Sequence, residues 1–487
     1  MNASVHLHAH SITGRILPYP RRFLRIWRSR PGWAIINEVD ATNLRLPRET
    51  HAAPMENISD KLKELIATKG LMTGTDLSRQ RESLARQRLA GEFEIEQCVP
   101  GELVHEDAGP FYLVRRDLPL DSRQGGIALG AVLEAIPEHI ALSACDPELD
   151  AFDPSTAVFM DAETTGLAGG TGTVAFLVGV GYFTEDAFRL DQCFLRDFDE
   201  EEAMLQYLDH VFARGETVVT FNGKTFDIPL LRTRFVANRQ PFRLDGAMHF
   251  DLIHAVRRIW KLRLKDCSLS HVERAVLGIQ RQGDVPSAEI PQIWFDYLRT
   301  RDARDLKRVF YHHRMDILSL VALTALLSQC LDVPQGRGFE HAEDRLSLVR
   351  LHFRQKRFED AVSHAKQLLE TQTEPFIRRE CFELLGFASK RVQDWTTMEN
   401  TWRRMACEFP SDLLCRLELA KHHEHRTRNL AEAERICVEA LERLETRAVR
   451  DPEDELETLQ GRAFQRRLER ICRKLSRAGI DDGLEHA

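Results

Sequence analysis

Phe159-Met160-Asp161-Ala162-Glu163-Thr164-Thr165-Gly166 is the stretch that decides how the chain is read. The residues leading into it, Thr156 to Met160, are apolar and β-prone, which predicts a buried strand. Asp161 and Glu163 then follow at i and i+2, a spacing that places both carboxylates on one face of a strand. Neighbouring carboxylates repel each other unless a cation lies between them, and hard oxygen donors suit Mg²⁺ or Mn²⁺. A D-x-E pair standing alone is more often a solvated strand end before a turn. Two acidic motifs further along the chain weigh against that reading here.

The first of these follows a second predicted strand, Val218 to Thr220, and runs Phe221-Asn222-Gly223-Lys224-Thr225-Phe226-Asp227-Ile228-Pro229. Asn-Gly marks a tight turn, and a helix is predicted to begin near Asp227. A cap with Pro229 in the first turn would account for Asp227 alone. It does not account for Asn222-Gly223 and Phe226 around it. The other motif, Phe310-Tyr311-His312-His313-Arg314-Met315-Asp316-Ile317, lies in a long helical stretch from Ala303 to Leu327. His312 and Asp316, at i and i+4, share one face of that helix, and Tyr311 lies nearly a third of a turn away. Ile317, Leu318, Leu320, Val321 and Leu323 make the helix half-buried. His313 points to another face and reads as structural.

Between the motifs, Gly169-Gly170-Thr171-Gly172-Thr173-Val174-Ala175 partly matches a dinucleotide fingerprint, but that fingerprint must open a helix. Here Val174 to Val180 continues as strand, and no lysine follows the glycines as a phosphate-binding loop requires. Phe188 to Leu195 predicts a further strand, and Glu201 to Phe212 an amphipathic helix with Met204, Leu205, Leu208 and Val211 on one face. Strands and helices in this order predict a mixed α/β layer architecture.

With 487 residues the chain is too long for one core, and about three domains are expected. The net charge of −8 excludes a polycation, so any nucleic-acid contact must come from a local basic patch. One such patch comprises Arg257, Arg258, Lys261, Arg263 and Lys265, preceded by Arg232, Arg234, Arg239 and Arg243. It suits phosphate tracking as well as a solvated helix face; Trp260 within it reads as core. The ten cysteines contain no C-x-x-C pair and predict reduced thiols in a cytoplasmic compartment. The apolar run from Val174 to Val180 is far too short to span a bilayer.

Five segments are expected. Residues 1–54, rich in arginine and proline, read as a disordered N-terminal segment, an upstream extension of the reading frame in preference to a transit peptide. His6, His8 and His10 within it read as solvated. Residues 55–151 read as helical to about residue 90, then β-rich, with strand patterns at Phe93-Glu94-Ile95-Glu96 and Phe111 to Val114. Residues 152–332 form the α/β domain. After a linker, residues 340–446 pair helices as Arg345–Phe353 with Phe358–Leu369, Phe376–Lys390 with Trp395–Phe409, and Leu413–His423 with Leu430–Leu444. Ala361, Met398 and Ala433 recur with a period of ~35, as in tetratricopeptide repeats. Residues 447–487 carry a charged C-terminal helix, Arg462 to Arg477, suited to binding nucleic acid or to capping the repeats.

Asp161, Glu163, Asp227 and Asp316, with His312, resemble the acidic set of the DEDD superfamily of RNase H-like 3′–5′ exonucleases. The first motif matches D-x-E-T-T-G. The second matches the N-G-x-x-F-D-x-P-x-L form seen in the proofreading domains of family B DNA polymerases, and Met248 to Leu252 and Cys267 to Gly278 resemble segments that follow it there. Residues 90–445 as a whole resemble the bacterial YprB-type family, an RNase H-like domain followed by tetratricopeptide-like helices. The resemblance implies an RNase H-like mixed sheet with flanking helices, then an all-α repeat domain.

It also implies two divalent cations, Mg²⁺ or Mn²⁺, held by Asp161, Glu163, Asp227 and Asp316, with His312 orienting or deprotonating the attacking water. Thr164, Asn222 and Lys224, together with Arg257, Arg258 and Lys261, would contact nucleic acid at single-stranded DNA or RNA ends. The repeats would bind a protein partner, and no membrane is implicated. In the superfamily the base is a histidine five residues before the last aspartate, or a tyrosine four residues before it. Here those positions hold Tyr311 and His312, so the choice between the two stays open. An enzyme, a non-catalytic nucleic-acid-binding module and a protein scaffold are the competing readings. Four converging acids favour the enzyme.

Overall fold

The computed structural model describes residues 93–166, 172–332, 338–371, 373–448 and 455–484. The readings made for residues 1–54, for the helix up to residue 90 and for the start of the glycine run at Gly169 lie outside these residues.

Phe93-Glu94-Ile95-Glu96, whose alternation predicts a strand, instead leads into a one-turn helix, α1 (Ile95–Cys98). Its buried residues, Ile95 and Cys98, stand at i and i+3, one helical face, so the short alternation was a chance match to period two. A hairpin of β1 (Glu102–Glu106) and β2 (Gly109–Pro119) follows, then a small one of β3 (Arg123–Gln124) and β4 (Ile127–Ala128), and α2 (Pro137–Ala144). The sheet continues with β5 (Ala157–Thr164), β6 (Ala175–Phe183), β7 (Ala187–Phe194), helix α3 (Glu201–Phe212), β8 (Thr217–Thr220), helix α4 (Asp227–Ala237) and β9 (Met248–Asp251). Helices α5 (Leu252–Trp260), α6 (Leu269–Val272), α7 (Ile290–Thr300) and α8 (Leu306–Asp332) complete the domain.

The strands form one seven-stranded sheet in the order β1-β2-β7-β6-β5-β8-β9. β8 and β9 run parallel to β5, and the other pairings are antiparallel. The lead-in strands β1 and β2 therefore belong to the same sheet as residues 152–332, joined by β2 pairing with β7. Hydrogen bonding between strands distant in sequence, such as Tyr112 opposite Phe194, left no trace in the local pattern that suggested a boundary near residue 151.

β6 is buried along almost its whole length, as expected of a central strand covered on both faces. One core holds Phe176, Phe194 and Trp294, with Phe176 and Trp294 stacked at 4.8 Å. The other holds Phe159, Phe188, Trp260 and the apolar side of α8. By length and composition α8 could cross a membrane, yet Ile317, Leu320, Val321 and Leu323 are buried within this core.

The remaining helices are α9 (Ala342–Arg354), α10 (Phe358–Leu369), α11 (Pro375–Arg391), α12 (Trp395–Glu408), α13 (Leu414–His425), α14 (Leu430–Ala448) and α15 (Glu455–Leu484). Each packs on the next in sequence around a separate core. Ala361, Met398 and Ala433, the recurring residues, are all buried there. A Cβ on Gly386 would lie 2.3 Å from the Trp402 ring, so the glycine lets α11 and α12 approach closely. Three basic residues of α15 turn inward: Arg470 and Lys474 meet the buried Glu424 of α13 at 2.6 and 2.8 Å, and Arg467 pairs with it as well. These cations hold the Glu424 carboxyl down at about 2.

Candidate active site

β5 is buried from Ala157 to Met160 and opens to intermediate exposure from Asp161 onward. That places the two carboxylates where the strand leaves the core. A register shift in the pairing with β6 falls between Glu163 and Thr164, the kind of irregularity that re-aims side chains beside sites.

Opposite Asp161 on β6 stands Gly179. A Cβ there would lie 2.2 Å from Ile317 Cδ1 and 2.5 Å from His313 Cε1. The missing side chain therefore brings α8 down onto the sheet. His313 does not point away from the site. It is fully buried beneath Asp161, with Nε2 3.1 Å from the Asp161 carbonyl oxygen. The Gln192 amide nitrogen lies 3.1 Å from His313 Nδ1 and 3.0 Å from the Phe310 carbonyl. This assigns Nε2 as the protonated nitrogen, donating to Asp161, and burial pushes the imidazole down to about 4. Gly179→Ala is expected to cost about 1–3 kcal/mol by overpacking and to lower any activity of the site with it. A melting temperature and activity equal to wild type would show that α8 has slack the packing does not display.

With α8 docked, its sharing of one face by His312 and Asp316 becomes a site. His312 Nε2 lies 3.3 Å from Asp316 Oδ2 and 4.0 Å from Glu163 Oε1. Glu163, His312 and Asp316 each offer a ligand atom, all within 4.8 Å of one another. Asp227 is the first residue of α4, preceded by Phe226 at the cap position, and it is buried rather than spent on capping. Burial raises the carboxyl pKa values throughout, and repulsion by Asp161 adds to it at Glu163, Asp227 and Asp316. Glu163 is pushed well above its usual range by burial, then by Asp161, Asp316 and Asp227. Asp227 is pushed up by burial, then Asp161. Asp316 is likewise raised by burial and then Asp161. Asp161 rises through burial, with His312 opposing. A set of oxygen donors that cannot all ionise unaided is chemically suited to divalent cations.

Matching sequences agree with this geometry. A family model of the RNase H superfamily matches residues 158–328. YprB of Bacillus subtilis (strain 168), itself described as uncharacterized, is 30% identical over 298 residues, covering 60% of this chain and 70% of its own. The chain belongs to the YprB family. In this family member the seven-stranded sheet and its helices are an RNase H-like domain, and the helical region follows it.

Several residues around the acids escaped sequence reasoning. His312 Nδ1 lies 2.8 Å from Asp284 Oδ1, and the Ser287 hydroxyl 3.3 Å from Nε2. Arg281 is buried inside the cluster, paired with Asp316 and, at 2.5 Å, with Glu273. Burial works against its charge, but Asp316 and Glu273 outweigh that and hold its pKa above the ordinary arginine value. Glu273 in turn accepts from the Ser319 hydroxyl at 2.5 Å. Arg281, Asp284 and Ser287 come from the irregular stretch before α7, which has no recognisable spacing to the acidic motifs.

The remaining candidates distribute as follows. Asn222 adopts φ +71° in the turn. Asp251, at the end of β9, accepts from the backbone N–H of Asn222 at 2.6 Å and of Lys224 at 3.1 Å, which fixes the loop leading into Asp227. The Thr164 hydroxyl is engaged with the Gly166 carbonyl at 3.1 Å. Tyr311 lies about 100° around α8 from His312, its ring 5.5 Å from the Arg314 guanidinium. Trp260 is core. Arg257, Arg258 and Lys261 line a groove shared with α9 rather than the acid cluster itself.

Proposed function

We propose that this protein is a metal-dependent 3′–5′ exonuclease of the DEDD type, hydrolysing phosphodiester bonds at single-stranded ends of DNA or RNA. The observation that carries the reading is His312, whose Nε2 faces Glu163 and Asp316 while its Nδ1 is held by Asp284. Asp161, Glu163 and Asp316 would hold one cation, Mg²⁺ or Mn²⁺, and Asp161 with Asp227 a second. Bound there, such cations supply charge for the attacking and leaving oxygens of the displacement.

The protein's own part is proton handling and positioning. Asp284 accepts Nδ1–H of His312, leaving the Nε2 lone pair directed at the acids. A water on that side gives its proton to Nε2 as its oxygen bonds to phosphorus. The bond from phosphorus to the 3′ oxygen of the shortened strand breaks, and a proton returns to that oxygen. Asp284→Asn removes the preference for that tautomer and is expected to lower the rate about 10–100-fold, the usual scale for partners of site ligands. An unchanged rate would take Asp284 out of the mechanism.

The helical region is read as tetratricopeptide-like and as a protein-binding surface. Ten unpaired cysteines suit a cytoplasmic setting. One observation favours a non-catalytic alternative: Arg281 already places a fixed positive charge on Asp316. The deciding experiment is degradation of end-labelled single-stranded DNA and RNA with Mn²⁺ or Mg²⁺ against a chelator, read beside the thermal shift on adding Mn²⁺. Stepwise shortening from the 3′ end with cation alone is expected. No cleavage with either metal, and no thermal shift, would favour the non-catalytic reading.

A further inference from the structure

The acid cluster explains where a bond is cut but not how a strand is led there. α5 and α9, one from each domain, form a groove of about 500 Å³. On α5 and its C-cap the lining residues are His254, Arg257, Arg258 and Lys261, at i, i+3, i+4 and i+7. On α9 Arg350 and Arg354 continue the lining, within Ser347, Arg350, Leu351 and Arg354 at the same spacing. Each helix thus presents one continuous face about 10 Å long, and the faces oppose each other. Arg263 on Asp344 at 2.9 Å fixes one helix to the other, with Asp344 itself buried.

The five cations stand out in a chain of net charge −8. Among the described residues, only Arg350 of the five pairs with a carboxylate, Glu380. Arg258 and Lys261 reach only backbone carbonyls, those of Ser143 and Lys265. Arg257, Lys261 and Arg354 are exposed. Four like charges gathered on two facing helices with no carboxylate partner among the described residues call for an anion between them. The groove also starts within one turn of Asp251, whose carboxylate holds the Asn222–Lys224 loop that leads into Asp227.

We propose that this groove is the track for the phosphate backbone of the single strand whose end enters the acid cluster, with the helical domain supplying one wall through Arg350 and Arg354. The assignment rests on the nuclease reading and adds that the helical domain is part of the substrate site. Acidic protein segments carry the same charge, but the link through Asp251 to the loop before Asp227 favours nucleic acid.

The test is equilibrium binding of fluorescent oligothymidylate and oligouridylate to the full chain, in chelator, over a range of salt. Arg257→Ala/Lys261→Ala/Arg354→Ala is expected to reduce the slope of log affinity against log salt by about 2, at ~0.7 for each phosphate no longer neutralised. Arg354→Glu alone should weaken binding, and Arg354→Lys should restore it. The Mn²⁺-induced thermal shift should persist in every variant, which shows an intact acid cluster. Wild-type affinity and slope in the triple variant would overturn the track. Loss of binding to a polyglutamate peptide with nucleic-acid binding unchanged would overturn it in favour of a protein surface. If the wild-type chain binds and cleaves neither oligonucleotide, the nuclease reading itself fails.

Discussion

Asp161→Ala is expected to abolish cation-dependent cleavage while the metal-free protein melts at the same temperature or higher. Asp161 is among the causes that raise Glu163, Asp227 and Asp316, following burial in each case. Removing it relieves three like-charge interactions at once and takes away the proposed shared ligand of both cations. The pH dependence has a definite sign. An acid whose folded-state pKa lies above its unfolded value of ~4 keeps its proton longer in the folded state, so stability falls as pH rises through the interval between the two. Metal-free wild type should therefore lose more stability than the variant between mildly acidic and neutral pH.

His313 works in the opposite direction. Held down at about 4, it opposes folding as pH falls below the ordinary imidazole range. Because it is present in both proteins, comparing their melting curves cancels most of its contribution. Circular dichroism melts in chelator and a cleavage assay in Mn²⁺ measure the two effects separately. Cleavage at the wild-type rate by the purified variant would sink the catalytic role of Asp161 and with it the proposed two-cation site.

His312→Ala is expected to lower the cleavage rate by about 10²–10⁴, the range for loss of a general base, whereas Tyr311→Phe should stay within a few-fold of wild type. The reason is rotational. His312 shares the Asp316 face of α8 and places Nε2 3.3 Å from Asp316. Tyr311 is turned about 100° away, against Arg314. His312→Ala removes the nitrogen proposed to receive the water proton and leaves Asp284 without its imidazole partner. Steady-state rates for the two variants, with melting temperatures to confirm folding, decide the matter. A crippled Tyr311→Phe beside a near-normal His312→Ala would mean that the tyrosine acts and that α8 enters the site in another register during turnover.

Much of the fold was legible because its elements carry their own periodicity. α3 and α10 have the bounds that their apolar spacing predicts, Glu201–Phe212 and Phe358–Leu369. The strand before Asp161, the turn at Asn222 and the long helix of His312 were readable from local sequence for the same reason. Local chemistry also sufficed to nominate the four acids, since carboxylates at strand ends and helix starts stand out against apolar surroundings.

What local sequence could not supply was everything made by approach across the fold. Phe93 to Glu96 alternates like a strand, but tertiary packing of Ile95 and Cys98 makes it a helical turn. The joining of β2 to β7, the docking of α8 over Gly179, and His313 beneath Asp161 depend on contacts between segments tens of residues apart. Arg281 and Asp284 entered the site for the same reason: a charged side chain in an irregular segment has no period to betray it. The sequence by itself determined which residues are chemically able to act. Only tertiary structure decided which of them meet, because each partner's position is set by burial elsewhere. That His312 and not Tyr311 shares the Asp316 face was legible in the i,i+4 spacing; that this face meets Glu163 depends on Ile317 and its apolar neighbours seating the helix in the core.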